Sequence, residues 1–355
     1  MATTKTIGTS GADFTDINSW VSWVQANRVA AGNLTDDVEG RVLAVGFSCT
    51  TAQTISGWAP AGFTTTLTAN PGDSFRDNAN KLTNALIYNT SNGAFISCTS
   101  SGVVDVQVDK IRVNALQIRS TGGYIPALKF STGTLTDVIV EFNILQSVNG
   151  TLGALTLSPG LDGAFVRNNL LMNDRGFCAV GTNGAGTTTA TKFYFNDLWT
   201  PGSGNGISSG TDDKIDAKCN LIVNSGNCAI NCRDAQTIGS NNATLNAAWN
   251  NTSYGSFTIT GLTASQFSLT SNTECIDADN APTDFRLATT YTKTKQNATA
   301  VSGCSTDIVG TIRSAGFEDI GCWQKSAGSV ASVWFGDLQA GTSQPISKKI
   351  IVVGT

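Results

Sequence analysis

The stretch FVRNNLLMN, residues 165–173, sets two amides, Asn168 and Asn169, inside an otherwise apolar run. An amphipathic helix has no use for that placement, because its polar side chains gather on one face. A lone strand has none either, since a buried polar group left unpaired costs about 1–3 kcal/mol. The pattern recurs. DKIRVNA (109–115), EFNILQS (141–147), RNNLLMN (167–173), YFNDLWT (194–200), KCNLIVN (218–224) and WNNTSY (249–254) align on Arg112, Asn143, Asn169, Asn196, Asn220 and Asn251. The intervals between these positions are 31, 26, 27, 24 and 31 residues.

The neighbouring columns repeat too. Three residues before the central position stand Val140, Val166, Phe193 and Ala217, with Asp109 as the exception. One residue before it stand Ile111, Phe142, Asn168, Phe195 and Cys219, and between these columns lie Lys110, Glu141, Arg167, Tyr194, Lys218 and Trp249. Buried, exposed, buried is the period-2 signature of a strand with one face inside. Two residues beyond the Asn, Leu145, Leu171, Leu198 and Ile222 are apolar again, as if the chain turns a corner onto a second inward face. Short strands and a corner in every ~25–30 residues predict an all-β fold, a parallel β-helix or solenoid. Its circuits stack about 4.8 Å apart. Asn143, Asn169, Asn196, Asn220 and Asn251 then form a ladder of amides, each satisfied by its neighbours. The ladder marks a corner, not a catalytic site.

Composition agrees. Charged residues are 14% of the chain, hydrophobic residues 40%, and Gly contributes 37 of 355. That is too apolar for disorder and too poor in helix formers for a helical protein. The net charge is −4, and no Lys/Arg cluster is longer than Lys348-Lys349, so no nucleic-acid partner is expected. No run approaches the ~18 apolar residues of a membrane span, and MATTKTIGTSG has no signal-peptide core. Synthesis and folding in the cytoplasm, without a membrane, are the expectation. Nine widely spread Cys make a poor disulfide framework and read as buried thiols. Zinc would need Cys ligands alone, because the chain has no His, and Cys219, Cys228 and Cys232 lack paired spacing. No metal site and no cofactor are expected.

A stack of parallel strands leaves open sheet ends. In DFTDINSWVSWVQANR, Asp16 can cap a helix whose Ile17, Trp20, Val21 and Val24 share one face, which predicts a lid over the first circuit. Beyond residue 325, KSAGS reads as a linker, followed by apolar VASVWFGDL and KKIIVVGT. The chain is divided accordingly into an N-terminal cap (1–47), a parallel β-helix (48–325) and a C-terminal strand extension (326–355). In the extension Phe335, Ile350, Ile351, Val352 and Val353 are candidate partner contacts. Residues 48–100 show no visible ladder and read as early circuits or an inserted loop.

Three segments resemble known families. TDFRLATT (283–290) and TDIVGTIRSAGFEDIGCWQ (306–324) resemble the closing coils of right-handed parallel β-helix repeat proteins. Asp284, Arg286 and Leu287 match one motif there, and Asp307, Gly310, Arg313, Asp319, Ile320 and Gly321 match the next. With the repeats, the resemblance spans roughly residues 100–325; it speaks to fold and little to function. The opening TKTIGTSGADFTDINSWVSW is similar to the start of β-helix proteins encoded in tailed-phage structural modules, which include tailspikes and trimeric capsid-stabilising cement proteins. That similarity implies a homotrimeric virion protein on the capsid surface. Its partners would be the major capsid protein or other virion proteins.

Chemistry has to be weighed against scaffold. Without His, Ser-His-Asp and Cys-His catalysis are excluded. A glycosidase needs two carboxylates about 5–9.5 Å apart, which stacked strands supply readily, and a lyase can use a Lys or Arg base. The densest acidic group is TDDKID, with Asp212, Asp213 and Asp216; these are the catalytic candidates if the chain is an enzyme. Asp105 and Asp137 would stack one strand apart if they share a column, or else open turns, as Asp commonly does. Glu141 is expected in an outward ladder between Lys110 and Arg167, and Tyr194 and Trp249 in the same outward column. The leading expectation is a non-catalytic capsid decoration protein. The alternative is a tailspike or receptor-binding protein that binds or cleaves a host surface glycan. A third is an adhesin or polysaccharide lyase.

Overall fold

Three parallel sheets carry the fold, and successive stretches of chain visit them in the same cyclic order. The computed structural model describes residues 2–123, 125–132, 135–148, 152–157, 161–174, 179–181, 189–200, 204–208, 215–223, 228–231, 238–240, 243–245, 267–269, 275–277, 284–287, 301–302, 304–313 and 322. The first sheet runs Thr3–Ile7, Val38–Val42, Thr65–Ala69, Ile111–Asn114, Ile139–Glu141, Phe165–Arg167, Thr191–Tyr194, Ile215–Lys218 and Ile238–Ser240. The second begins at Phe47–Cys49 and continues through Phe95–Cys98, Gln117–Ser120, Ile144–Ser147, Leu170–Asn173 and Asp197–Trp199 to Phe267–Leu269. The third runs from Gln53–Ile55 through Val104–Val106, Leu128–Phe130 and Leu155–Leu157 to Cys228–Asn231. The chain is therefore β-rich, with mostly parallel sheets.

Alternation explains why these stretches are strands and where the core sits. Inward residues of the first sheet stack in register as Leu67, Val113, Val140, Val166, Phe193 and Ala217. Those of the second sheet stack as Ile96, Ile118, Leu145, Leu171, Leu198 and Ile222. All twelve are buried in one continuous cluster. Burying one such side chain contributes about 1.5–3 kcal/mol, so a column gains with every circuit added. The apolar residues at 145, 171, 198 and 222 do lie beyond a corner, in the second sheet.

The helix α1, Ile17–Arg28, is capped by Asp16, whose Oδ1 accepts from Ser19 N–H at 2.7 Å. Ile17, Trp20, Val21 and Val24 are its buried face. Its polar side chains do the work of a missing strand. Asn18 Oδ1 accepts from Thr54 N–H at 2.8 Å, Asn18 Nδ2 donates to Ala52 O at 2.9 Å, and Gln25 Nε2 donates to Ser56 O at 2.9 Å. Gln53 Oε1 in turn accepts from Ile17 N–H at 3.1 Å. The free edge of Gln53–Ile55 is thus paired to side chains rather than left as a template for another chain. Trp20 lies flat on Gly40, where an added Cβ would stand 3.0 Å from the indole. Thr3–Ile7 is closed in a similar way, with Thr6 N–H donating to Asp13 Oδ2 at 2.8 Å and Phe14 N–H to Thr6 O at 3.0 Å. Residues 1–47 accordingly supply two strands of the first sheet as well as the helix.

The stretch 48–100 resolves into strands Gln53–Ile55, Thr65–Ala69 and Phe95–Cys98, with an excursion over 70–94 before the second sheet is reached. That excursion hides the periodicity. Its Phe75 and Leu86 pack outside the second sheet with Ile144, Leu170, Met172, Trp199 and Leu221, and with Cys304, Ile308, Val309 and Cys322. The second sheet is therefore apolar on both faces, as a strand run reads when both sides are covered. Asp284–Leu287, resembling part of a closing coil, pairs antiparallel with Cys275–Asp277 and joins none of the three sheets.

Removing the indole of Trp20 takes away the main anchor of α1. Trp20→Ala is expected to cost about 3–5 kcal/mol, read as a lowered urea midpoint, with self-association detectable by light scattering once the edge is uncovered.

Candidate functional site

The corner between the first and second sheets is built by one recurring backbone bend. Ala115, Phe142, Asn168, Phe195 and Cys219 all adopt a left-handed conformation, with φ between 51° and 58°. Such a bend costs a non-glycine residue on the order of 1 kcal/mol or more and needs compensation. The Asn of the following strand in the sheet supplies it, by accepting the N–H of the residue after the bend. Asn169 Oδ1 accepts from Asn143 N–H at 2.9 Å and from Asn143 Nδ2 at 3.1 Å. Asn196 Oδ1 accepts the same pair from Asn169, and Asn220 Oδ1 from Asn196, all at 3.0 Å. Each Nδ2 also donates to a backbone carbonyl of the preceding circuit: Asn143 to Val113, Asn169 to Val140, Asn196 to Val166 and Asn220 to Phe193, at 2.8–3.0 Å. All four amides are fully buried. Asn251 lies outside the described residues.

Arg112 is not the head of this column. It sits within Ile111–Asn114, and its guanidinium pairs with Glu141 at 3.0 Å. The head is Leu116, which follows the bend at Ala115 and whose N–H donates to Asn143 Oδ1 at 3.1 Å. The misfit of Asp109 in the column three residues before Arg112 is the trace of this shift. With Leu116 in place, Val113 joins Val140, Val166 and Phe193 in that column.

A second device was not legible. Asp37, Asp109 and Asp162 each accept, through Oδ1, the backbone N–H of a Thr 27 residues later, namely Thr64, Thr136 and Thr189, at 2.6–2.7 Å. The common 27-residue interval is the signal that could have revealed it. These carboxylates tie one circuit to the next. Asp105 and Asp137 do not stack: Asp105 lies in the third sheet beside Lys129 in register, and Asp137 occupies a left-handed bend after Leu135–Thr136.

The outward face of the first sheet carries the remaining carboxylates of interest. Glu141 is not an exposed charge but only 3% accessible. It accepts from Arg167 at 2.6 Å and from Arg112 at 3.0 Å. Asp216 is also buried; it takes a hydrogen bond from the Tyr194 hydroxyl and an ion pair from Lys218 at 3.0 Å. Tyr194 does lie in the outward column but is likewise buried rather than exposed, and burial, followed by the Asp216 carboxylate, pushes its phenol far above the usual range. Three strand steps separate Glu141 from Asp216, or about 14 Å at ~4.8 Å per step, beyond the span that two glycosidase carboxylates use. Asp212 and Asp213 lie outside the described residues, as do Trp249, Phe335, Ile350, Ile351, Val352 and Val353.

Two arginines roof the bends. The Arg76 guanidinium lies 3.9 Å from the Phe142 ring centre and that of Arg313 lies 4.1 Å from Phe195, while Arg313 Nη2 donates to Asn168 Oδ1 at 3.1 Å. Cation–π contacts of this kind gain strength when desolvated. The D-x-x-G-x-x-R motif has a plain structural reading here. Asp307 Oδ1 accepts from Val309 and Thr311 N–H at 3.0 and 2.6 Å, Gly310 takes the turn at φ 89°, and Arg313 is delivered to the corner. Beside it, Asp197 Oδ1 accepts from Cys322 N–H at 2.8 Å and Oδ2 lies 3.1 Å from Cys322 Sγ. Full burial pushes the Asp197 carboxyl up to about 7, against the lowering effect of its Cys322 hydrogen bonds and Arg313.

No protein-family model matches the chain, and no curated protein matches it significantly. Among the described residues no group of three His, Cys, Asp or Glu converges as a metal site, and no helix is long and apolar enough to cross a membrane.

Two outcomes follow from the geometry. Asn169→Ala removes the acceptor of the buried Asn143 N–H, one of the two acceptors of Asn143 Nδ2 and the side-chain donor to the Val140 carbonyl, and is expected to cost about 2–4 kcal/mol in urea unfolding. For Asp197, the carboxyl is raised in the folded state, so its favourable contribution is complete below pH ~4 and is lost as pH rises through ~7. The wild type should therefore lose more stability between about pH 5 and pH 8 than Asp197→Asn does, by on the order of 3 kcal/mol in chemical denaturation.

Proposed function

We propose that the chain is a right-handed parallel β-helix that trimerises on a phage capsid and stabilises the head without catalysis. The cyclic visiting of three parallel sheets supports the solenoid, and strand–crossover–strand connections are right-handed in about 98% of cases. The resemblance of residues 4–23 to phage β-helix proteins supports the virion setting. The observation that carries the non-catalytic reading is the engagement of the carboxylates. Glu141 sits between two arginines, Asp216 between Tyr194 and Lys218, and Asp37, Asp109 and Asp162 each bind a backbone N–H of the next circuit. Side chains so committed stiffen a particle component rather than move protons.

One observation favours the tailspike alternative. Lys192 stands 5.9 Å from the half-buried Phe165 ring on the outward face of the first sheet, the cation-and-aromatic pairing that a host glycan could use. Copy number and position in purified virions, by quantitative mass spectrometry and antibody labelling in the electron microscope, separate the two. Many copies over the head support the decoration reading. A few copies at the tail overturn it and direct attention to Asp212→Asn and Asp213→Asn in glycan cleavage. Deletion of residues 341–355 is expected to weaken trimerisation or capsid attachment; an unchanged native mass together with wild-type capsid binding would refute that role.

A further inference from the structure

Cys49 and Cys98 close the strands Phe47–Cys49 and Phe95–Cys98 and face one another in register. Their Sγ atoms are 2.9 Å apart, one thiol donating to the other. Neighbouring parallel strands hold Cα atoms about 4.8 Å apart, inside the range of about 4.4–6.8 Å that a disulfide spans. The pair is placed so that a bond can form once a two-electron oxidant removes both thiol protons and electrons. Cys219, Cys304 and Cys322 are buried too, and Cys322 is turned to Asp197 rather than to a second sulfur.

The location gives the pair a purpose. Phe47–Cys49 is the outermost strand of the second sheet, three residues long and paired on one side only. Short edge strands with one neighbour are where local opening starts. The two cysteines are 49 residues apart, and the 70–94 excursion lies between them, so the strand pairing closes a long loop of chain. A covalent link across such a loop restricts the unfolded chain most.

We propose that Cys49 and Cys98 form a disulfide site that staples the first edge strand of the second sheet when the protein meets an oxidising, low-molecular-weight disulfide. Cys49 retains 7% exposure while Cys98 has none, so Cys49 is the entry point. The hydrogen bond from Cys98 draws the Cys49 thiol below its ordinary value, and the same bond drives Cys98 far above it. The Cys49 thiolate attacks one sulfur of the small disulfide, forming a mixed disulfide and expelling one small thiolate. Cys98, losing its proton, then attacks Cys49 Sγ and expels the second small thiolate. Two protein thiols are oxidised, one small disulfide is reduced to two thiols, and the two protein protons end on the departing thiolates.

The test uses the full chain, reduced and then incubated natively with oxidised glutathione, followed by intact-mass measurement and peptide mapping after alkylation. The expected product is a cross-linked Cys49–Cys98 peptide with no retained glutathione, and a urea midpoint that rises on oxidation and falls back on reduction. Cys98→Ala should retain one glutathione on Cys49, whereas Cys49→Ala should retain none at Cys98. Native chain in which both thiols stay alkylatable, while urea-unfolded chain is oxidised by the same reagent, overturns the proposal. So does a mixed disulfide on wild-type Cys49 that never resolves. Mapping on the wild type decides the matter even where a variant fails to fold.

Discussion

The stacked amide at the corner is the interaction on which the other features rest. A left-handed bend before each ladder residue turns the chain sharply, and it takes that residue's N–H out of ordinary strand pairing. The next circuit's Asn carries an acceptor for that N–H and a donor for a carbonyl of the circuit before, on a side chain short enough to reach both. Asp lacks the donor, Gln is longer, and a hydroxyl puts donor and acceptor on one atom where the amide spreads them over two. Asn143, Asn169, Asn196 and Asn220 each use both ends of the amide, so every circuit fixes the height and angle of the next. Hydrophobic columns at Val113–Val140–Val166 and Ile118–Leu145–Leu171 need that constancy, since close packing tolerates little drift between layers.

How far this was legible depended on whether a contact repeats. The ladder, the inward columns and the capped helix are periodic or local, and the sequence displays them directly. The head of the ladder escaped because Leu116 only donates its N–H to Asn143 and needs no side-chain amide, so it leaves no Asn to see. The excursion over 70–94 interrupts the repeat, which hid the strands on either side of it. Contacts such as Arg313 to Asn168, 145 residues apart, and Cys322 to Asp197, 125 apart, follow no period at all.

The same distinction explains why Glu141 and Tyr194 stand in an outward column and are buried all the same. Alternation specifies which side of a sheet a residue faces and not whether that side meets water. On the first sheet the outward side at these circuits lies under side chains from distant segments. Arg76 is close enough to feel the charge of both Glu141 and Asp307, and Cys304 hydrogen-bonds with Arg167. A charged residue in an outward column therefore became part of a buried network, where each ion has partners and its loss would strand the other.

A stack of circuits has a weakness that the ladder cannot remove. Interior strands of each parallel sheet gain from two neighbours and terminal ones from one. The ladder repeats identically and offers nothing extra to an end. The features that break the repeat gather where that deficit falls at the N-terminal end: the side chains of Asn18 and Gln25 on the edge of Gln53–Ile55, Asp13 and Phe14 on Thr3–Ile7, and the facing thiols on Phe47–Cys49. Each of the three sheets thus has its own non-repeating closure at its first strand. Regularity along the stack and irregularity at its end are two responses to one constraint, that an end strand has a neighbour on one side only and needs its free edge covered or its one pairing reinforced.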